Sequence, residues 1–144
     1  MCWKGWCDVE PITVQVTVEA PLEKVWEYWT SPEHIIKWAY ASDGWEAVDP
    51  TNVVAVGERF KTRMQSKDGS QGFDFEGTYT SVYPLERIEY DLDDGRHVAI
   101  EFDEAPEGVD IIQTFDPEPK NIPAYQKQGW QAILDNFKKH VEQG

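Results

Sequence analysis

The feature that most constrains the fold is a series of short strand-like segments that precedes a single long amphipathic helix. Residues 12–18 alternate apolar and polar side chains, and this period of two indicates a strand with one buried face. Hairpin signals at Asp68-Gly69, Asp94-Gly95 and Glu107-Gly108 favour antiparallel neighbours further along the chain. The remaining strands are predicted near residues 43–48, 56–66, 71–83, 86–92, 96–103 and 108–116.

Helical periodicity occurs at two places in the chain. After Pro21, apolar residues recur at helical spacing to Trp29, and Ser31-Pro32-Glu33 begins a second short helix with Ser31 as its N-cap. The last segment predicts an amphipathic helix of about five turns. Gly129 within it destabilises the helix by about 1 kcal/mol relative to alanine. A close approach by a ligand or by the sheet would explain why a glycine is present, and so would ordinary packing. The apolar positions of this last helix are Trp130, Ile133, Leu134, Phe137 and Val141.

These elements predict an α+β fold, with a curved antiparallel sheet wrapped around the long C-terminal helix and two short helices after the first strand. The 144 residues are enough for one domain, and 40% of them are apolar, as in ordinary globular proteins. We see no repeat, low-complexity segment or internal boundary. We therefore expect residues 1–144 to form a single domain, with residues 1–11 as an atypical N-terminal extension.

The charge balance constrains the partners. Lys and Arg total 13 against 27 Asp and Glu, a net charge of −14. Such a surface repels nucleic acid and anionic lipid, and it fits a basic protein or a neutral small molecule; solubility alone would also explain it. No apolar run is long enough to span a membrane, and residues 1–7 lack the apolar core of a signal peptide, so we expect a cytoplasmic or recombinant protein.

An aromatic set is the first candidate site. Aromatic residues make up 13% of the chain, and Phe73, Phe75 and Tyr79 fall at even spacing along one predicted strand, hence on one face. Such residues can line a ligand cavity or simply form the core. The candidate cavity-lining residues are Trp26, Trp29, Trp38, Tyr40, Phe60, Phe73, Phe75, Tyr79 and Trp130.

Catalytic and metal sites find little support in the sequence. His34, His97 and His140 are scattered over different elements and are expected to be exposed. Asp74 and Glu76 alternate with phenylalanines and should face solvent. The segment 91–101 is rich in acidic residues but does not fit a calcium loop, because Gly95 stands at the fifth position and Arg96 at the position that requires glycine. We therefore predict no enzyme, no cofactor and no metal.

The second candidate site is the N-terminal segment Cys2-Trp3-Lys4-Gly5-Trp6-Cys7. With its lysine and glycine as a two-residue turn, the two cysteines would face each other at a position where a disulfide can close, and the two tryptophans would pair across the strands. Two rigid aromatics beside one cation resemble a binding hot spot, so Trp3, Lys4, Gly5 and Trp6 are predicted to contact a protein. Alternatively, the cysteines are free and the tryptophans pack on the sheet edge.

Several spaced motifs carry a family resemblance. They are Ala20-Pro21-Leu22-Glu23-Lys24-Val25-Trp26 through Trp38, Gly72-Phe73-Asp74-Phe75-Glu76-Gly77-Thr78-Tyr79, Asp94-Gly95-Arg96, and Gly129-Trp130-Gln131-Ala132-Ile133-Leu134-Asp135-Asn136-Phe137. The chain resembles the START-like (SRPBCC) superfamily over about residues 12–143, in the bacterial branch related to the heat-shock-ATPase activator homologues. The resemblance implies a helix-grip fold with a deep cavity between sheet and helix, in a superfamily that binds lipids, hormones or polyketide-like compounds. It does not fix the function.

Two functional hypotheses follow. In the first, the N-terminal hairpin of an engineered START-like scaffold binds a protein that is basic overall and has a local acidic cleft to receive Lys4. A disulfide there would be unusual in a natural cytosolic protein, which suggests an engineered or selected segment. In the second, the helix-grip cavity binds a small apolar ligand.

Overall fold

The structure is a computed structural model that describes residues 11–118 and 123–143. The element order is the one predicted from the sequence, and the helix-grip architecture is confirmed. The strands are β1 (Ile12–Val18), β2 (Trp45–Asn52), β3 (Arg59–Ser66), β4 (Gly72–Tyr83), β5 (Arg87–Leu92), β6 (His97–Ala105) and β7 (Gly108–Phe115), and the helices are α1 (Leu22–Thr30), α2 (Pro32–Ile35) and α3 (Pro123–Gln143).

The strands form one antiparallel sheet in the order β1-β7-β6-β5-β4-β3-β2. Strands β2 to β6 each pair with the next strand along the chain, as the hairpin signals predicted. The first strand joins the sheet beside the last, so that Val14 lies opposite Gln113. Register shifts in β2 and β4 interrupt the ladder. Irregularities of this kind increase strand bending, and so they help the sheet to curve.

Helix α3 packs along β1 and closes the inner face of the sheet. Leu134, Phe137 and Val141 on its apolar face are fully buried. Two hydrogen bonds fix the helix against the edge strand: Gln131 Nε2 donates to the carbonyl of Gln15 at 3.0 Å, and Lys138 Nζ donates to that of Thr17 at 2.6 Å. The half of α3 that precedes these contacts is therefore held over the sheet without filling the space beneath it.

The short helices cover the other end of the sheet. Ser31 occupies the predicted N-cap position of α2, but its side chain makes no capping bond; its carbonyl instead accepts the N–H groups of His34 and Ile35, each at 3.0 Å. Trp38, which follows α2, donates its indole N–H to the carbonyl of Tyr28 at 3.0 Å. This bond ties the segment after α2 to α1 and orients the Trp38 ring towards the core.

Candidate functional site

A cavity of about 730 Å³ lies between the inner face of the sheet and the first half of α3. Its wall contains buried strand residues such as Phe60 and Tyr90, and it is completed by Trp130 and Ile133 of the helix. The predicted cavity residues that the structure places in this wall are Trp29, Trp38, Phe60, Phe73, Phe75, Tyr79 and Trp130.

Trp26 and Tyr40 differ from the expectation, because neither lies in the cavity wall. The Trp26 ring packs edge-on against Phe102 with 5.3 Å between ring centroids, and so belongs to the core under α1. The Tyr40 backbone helps to hold α3 in place: its carbonyl accepts a hydrogen bond from the Asn136 side-chain amide at 2.6 Å. Helical spacing placed Trp26 on an apolar face correctly, but of the two tryptophans on that face only Trp29 also lines the cavity.

The rings of the wall pack on one another around Phe60. Its centroid lies 4.7 Å from that of Tyr90, 5.2 Å from that of Tyr79 and 5.8 Å from that of Phe75. At the helix side, Trp130 stacks face to face on Phe115 at 3.9 Å. Such ring packing fixes the side chains in place, so the empty space is bounded by a preorganised wall.

Strand β4 runs from the mouth of the cavity to its floor. Phe73 is 50% exposed and Tyr79 only 7%, although both point to the same face. Gly77 lies between them, where a Cβ atom would come within 2.4 Å of the carbonyl oxygen of Asp91 on β5. The glycine therefore permits a close approach of β4 to β5, and the sheet can curve around the cavity at this point.

Two groups of buried or half-buried polar side chains lie in the wall, apart from the charged residues that also line the cavity. At one, the Tyr79 hydroxyl donates to Asn52 Oδ1, while Asn52 Nδ2 donates to the carbonyl of Thr30 at 2.8 Å. At the other, Tyr90 lies near the Gln113 side chain, and both are buried. Burial raises the pKa of both tyrosines above their usual range, so both phenols stay neutral at physiological pH.

The mouth of the cavity is aromatic and charged. Tyr125, in the first turns of α3, is 65% exposed and faces the opening together with Phe73. Arg96 and Asp94, from the β5–β6 turn, complete the rim and pair at 2.9 Å. A ligand that enters would thus pass exposed rings and an ion pair before it reaches the buried wall.

Gly129 lies in α3 and also lines the cavity. A Cβ atom built on it would have no neighbour within 4 Å outside its own helix. Packing against the sheet therefore does not explain this glycine, since the space above it is open. The absent side chain instead widens the cavity at the middle of its helical wall.

The histidines lie outside the cavity wall but are less exposed than the sequence suggested. His34 Nδ1 and His140 Nε2 are 3.1 Å apart, and the Tyr28 ring stacks on His34 at 3.8 Å. Burial, with a smaller contribution from His34, lowers the pKa of His140.

His97 pairs with two acids, through Nδ1 with Asp91 at 2.6 Å and through Nε2 with Glu89 at 2.8 Å. The Asp91 hydrogen bond is the largest cause of the raised pKa of His97.

As predicted, Asp74 is exposed, and it pairs with Lys61 and Arg63. Within residues 11–118 and 123–143, no group of three or more His, Cys, Asp and Glu side chains is arranged to hold a metal ion.

Sequence reasoning missed several wall residues. Tyr90 was identifiable in principle, because Ile88, Tyr90 and Leu92 alternate along β5 and are all buried. Gln113 and Asn52 carried no such signal, since a polar residue in a strand is ordinarily assigned to the solvent face. Their inward orientation follows from strand register. The predicted N-terminal site, including Cys2 and Cys7, lies outside the described residues. Among the described helices, none is long and apolar enough to cross a membrane.

Comparison with known proteins gives the family. Residues 19–142 match the family described as Activator of Hsp90 ATPase homolog 1-like protein. The AHSA1-like protein from Aeromonas hydrophila, solved by NMR, is 42% identical over 92% of each chain with a TM-score of 0.87. A protein from Cytophaga hutchinsonii is 46% identical over 92% of each chain with a TM-score of 0.80. A search of curated proteins gives no significant match. On this evidence the chain belongs to the Activator of Hsp90 ATPase homolog 1-like family.

Proposed function

We propose that this protein binds a small, largely apolar molecule in the cavity between the sheet and α3. The observation that carries the proposal is an unfilled space of about 730 Å³ inside an otherwise well-packed fold. Protein interiors are normally close-packed, whereas ligand sites of roughly 300–1,000 Å³ are lined by apolar and aromatic side chains with a few polar groups. Aromatic and aliphatic side chains provide most of this wall, which also contains five acidic side chains and one arginine among the described residues.

The ring packing of the site supports binding of an apolar molecule. The rings of Phe60, Phe75 and Tyr90 meet edge to face and leave apolar surfaces towards the space beside Trp130. The two neutral tyrosine hydroxyls add fixed hydrogen-bonding positions. A ligand with an apolar body and a small number of polar atoms would match both features.

The test uses Nile red, a neutral dye whose fluorescence increases in apolar surroundings. We expect one dye molecule to bind per chain with a blue-shifted emission. The variant Gly129→Leu places an isobutyl group in the cavity where the structure has open space, and should weaken binding at least about tenfold. Lys139→Leu adds an apolar side chain on the exposed face of the same helix and should bind like the wild type. Equal binding by all three proteins, or no binding by the wild type, would refute the proposal.

The N-terminal segment carries the second candidate function, which stays a prediction from the sequence. Trp3, Lys4, Gly5 and Trp6, in a hairpin closed by a Cys2–Cys7 disulfide, would form the contact surface for a basic protein with a local acidic cleft. The family match begins at residue 19, so it leaves open whether this segment was engineered. Affinity capture by the oxidised chain and by a Cys2→Ser/Cys7→Ser variant tests the idea; capture that is the same for both would contradict it.

A further inference from the structure

Arg96 is the one arginine in the described part of the cavity wall. It follows a tight turn in which the N–H of Gly95 bonds to the carbonyl of Leu92 at 2.9 Å and the N–H of Leu92 to the carbonyl of Arg96 at 2.8 Å. Asp94 holds Arg96 twice, accepting its backbone N–H at 3.1 Å and its Nε–H at 2.9 Å. The base of the side chain is therefore fixed by the turn.

The far end of the Arg96 guanidinium makes no hydrogen bond within the described residues. Asp94 engages Nε, and the structure gives neither terminal nitrogen, Nη1 or Nη2, a hydrogen bond to the rest of the described chain. Yet the side chain is only 21% exposed. Among the described residues no buried side-chain nitrogen lacks a partner, so the two terminal nitrogens keep contact with solvent and can exchange water for a ligand acceptor. These nitrogens are available to an acceptor that enters the cavity.

Although Arg96 stands at the rim of the cavity, it is near enough to the buried Tyr90 to interact with it electrostatically. Its positive charge acts on Tyr90, where it opposes part of the larger rise in pKa that burial causes. Tyr90 in turn is close to the Gln113 side chain, which also offsets part of that rise. A ligand oxygen near Arg96 would thus sit between a charge-assisted donor and a neutral polar pair, with the apolar wall around the rest of the molecule.

The charge around Arg96 selects against an anion. Asp94 already neutralises the guanidinium, and Asp93, also in the cavity wall, pairs with Arg59 at 2.6 Å. A carboxylate would have to leave water for a site with further carboxylates at its rim, whereas a carbonyl oxygen accepts the same hydrogen bonds without that repulsion.

We propose that Arg96 anchors the cavity ligand through its terminal guanidinium nitrogens, and that the ligand class is an apolar, uncharged molecule bearing a carbonyl acceptor. This proposal rests on the proposed function of the cavity. It assigns to Arg96 the role of a specificity-determining residue.

The test compares three probes with one carbon skeleton: 2-acetylnaphthalene, 2-ethylnaphthalene and 2-naphthoate. Binding is followed at pH 7.5 by quenching of tryptophan fluorescence and by calorimetry. We expect the ketone to bind the wild type about tenfold more tightly than the hydrocarbon, because one charge-assisted hydrogen bond is gained. The carboxylate should bind more weakly than the ketone.

Two variants assign the effect. Arg96→Met removes the donors and should abolish the roughly tenfold preference for the ketone over the hydrocarbon; the ratio of the two affinities is the readout, and retained binding of the hydrocarbon shows that the cavity is intact. Arg87→Met is the matched control, since Arg87 pairs with Glu89 and Glu101 away from the cavity wall; it should keep the preference for the ketone.

The outcomes separate the two proposals. If the hydrocarbon and the ketone bind the wild type equally, if the carboxylate binds best, or if Arg96→Met keeps the preference for the ketone, then the role of Arg96 is refuted while the cavity remains a binding site. If none of the probes binds the wild type and Nile red also fails, both proposals fall together.

Discussion

Replacement of Gly129 by alanine tests the structure of the cavity wall directly. In most folded proteins a glycine within a helix next to a sheet is there because a side chain would collide. Here a Cβ atom would find no neighbour within 4 Å outside the helix itself, and the backbone of α3 is helical at this point. The added methyl group would therefore enter empty space, and only the helix would respond to the change.

The expected size follows from helix propensity. Alanine is favoured over glycine in a helix interior by about 0.5–1 kcal/mol, chiefly because glycine loses more backbone entropy on folding. No steric term opposes this gain. For a domain of this size, a stabilisation of about 1 kcal/mol corresponds to a rise in Tm of roughly 3–5 °C.

The assay is urea unfolding followed by far-UV circular dichroism, with Gly77→Ala as the matched control. At Gly77 the same added methyl group would lie 2.4 Å from the Asp91 carbonyl oxygen, so that variant should lose at least about 2 kcal/mol. Opposite signs for the two variants are the expected result. A loss of stability in Gly129→Ala would mean that the space above α3 is filled, and would refute the open cavity.

Other consequences concern buried polar groups. Tyr79→Phe removes the hydrogen bond to Asn52 and should lower the unfolding free energy by about 1–2 kcal/mol, whereas Tyr83→Phe, at an exposed position, should change it little; equal effects would contradict the structure. His140 has a lowered pKa in the folded state because of burial, then of His34, so folding favours its neutral form. Neutral His140 is compatible with the folded state, so the unfolding free energy is unaffected by this group above the unfolded pKa of about 6.5. As the pH falls through that value, the unfolded state takes up a proton more readily and the unfolding free energy decreases. The unfolding free energy of His140→Gln should therefore depend less on pH between about 7.5 and 5 than that of the wild type, and identical slopes would refute this.

The sequence predicted the secondary structure well because its signals are local. Apolar alternation marked β1, glycine-containing turns marked the hairpins, and the helical spacing of Trp130 to Val141 marked α3. It also supplied most of the aromatic wall, since the residues of one strand face share an orientation whatever the strand packs against. Trp26 packs in the core outside the cavity wall, because periodicity identifies the buried face of a helix but not the part of the core that this face meets.

Only the tertiary structure decided which buried surface stays empty. Arg96, Asn52 and Gln113 belong to the site because strand register and a tight turn direct polar side chains inward, and a pattern of polarity alone assigns such residues to solvent. Gly129 was visible in the sequence, yet its meaning depended on the absence of atoms above it. The sequence thus determined the elements through interactions between near neighbours, whereas the cavity is a property of the distance between α3 and a sheet whose strands lie far away along the chain.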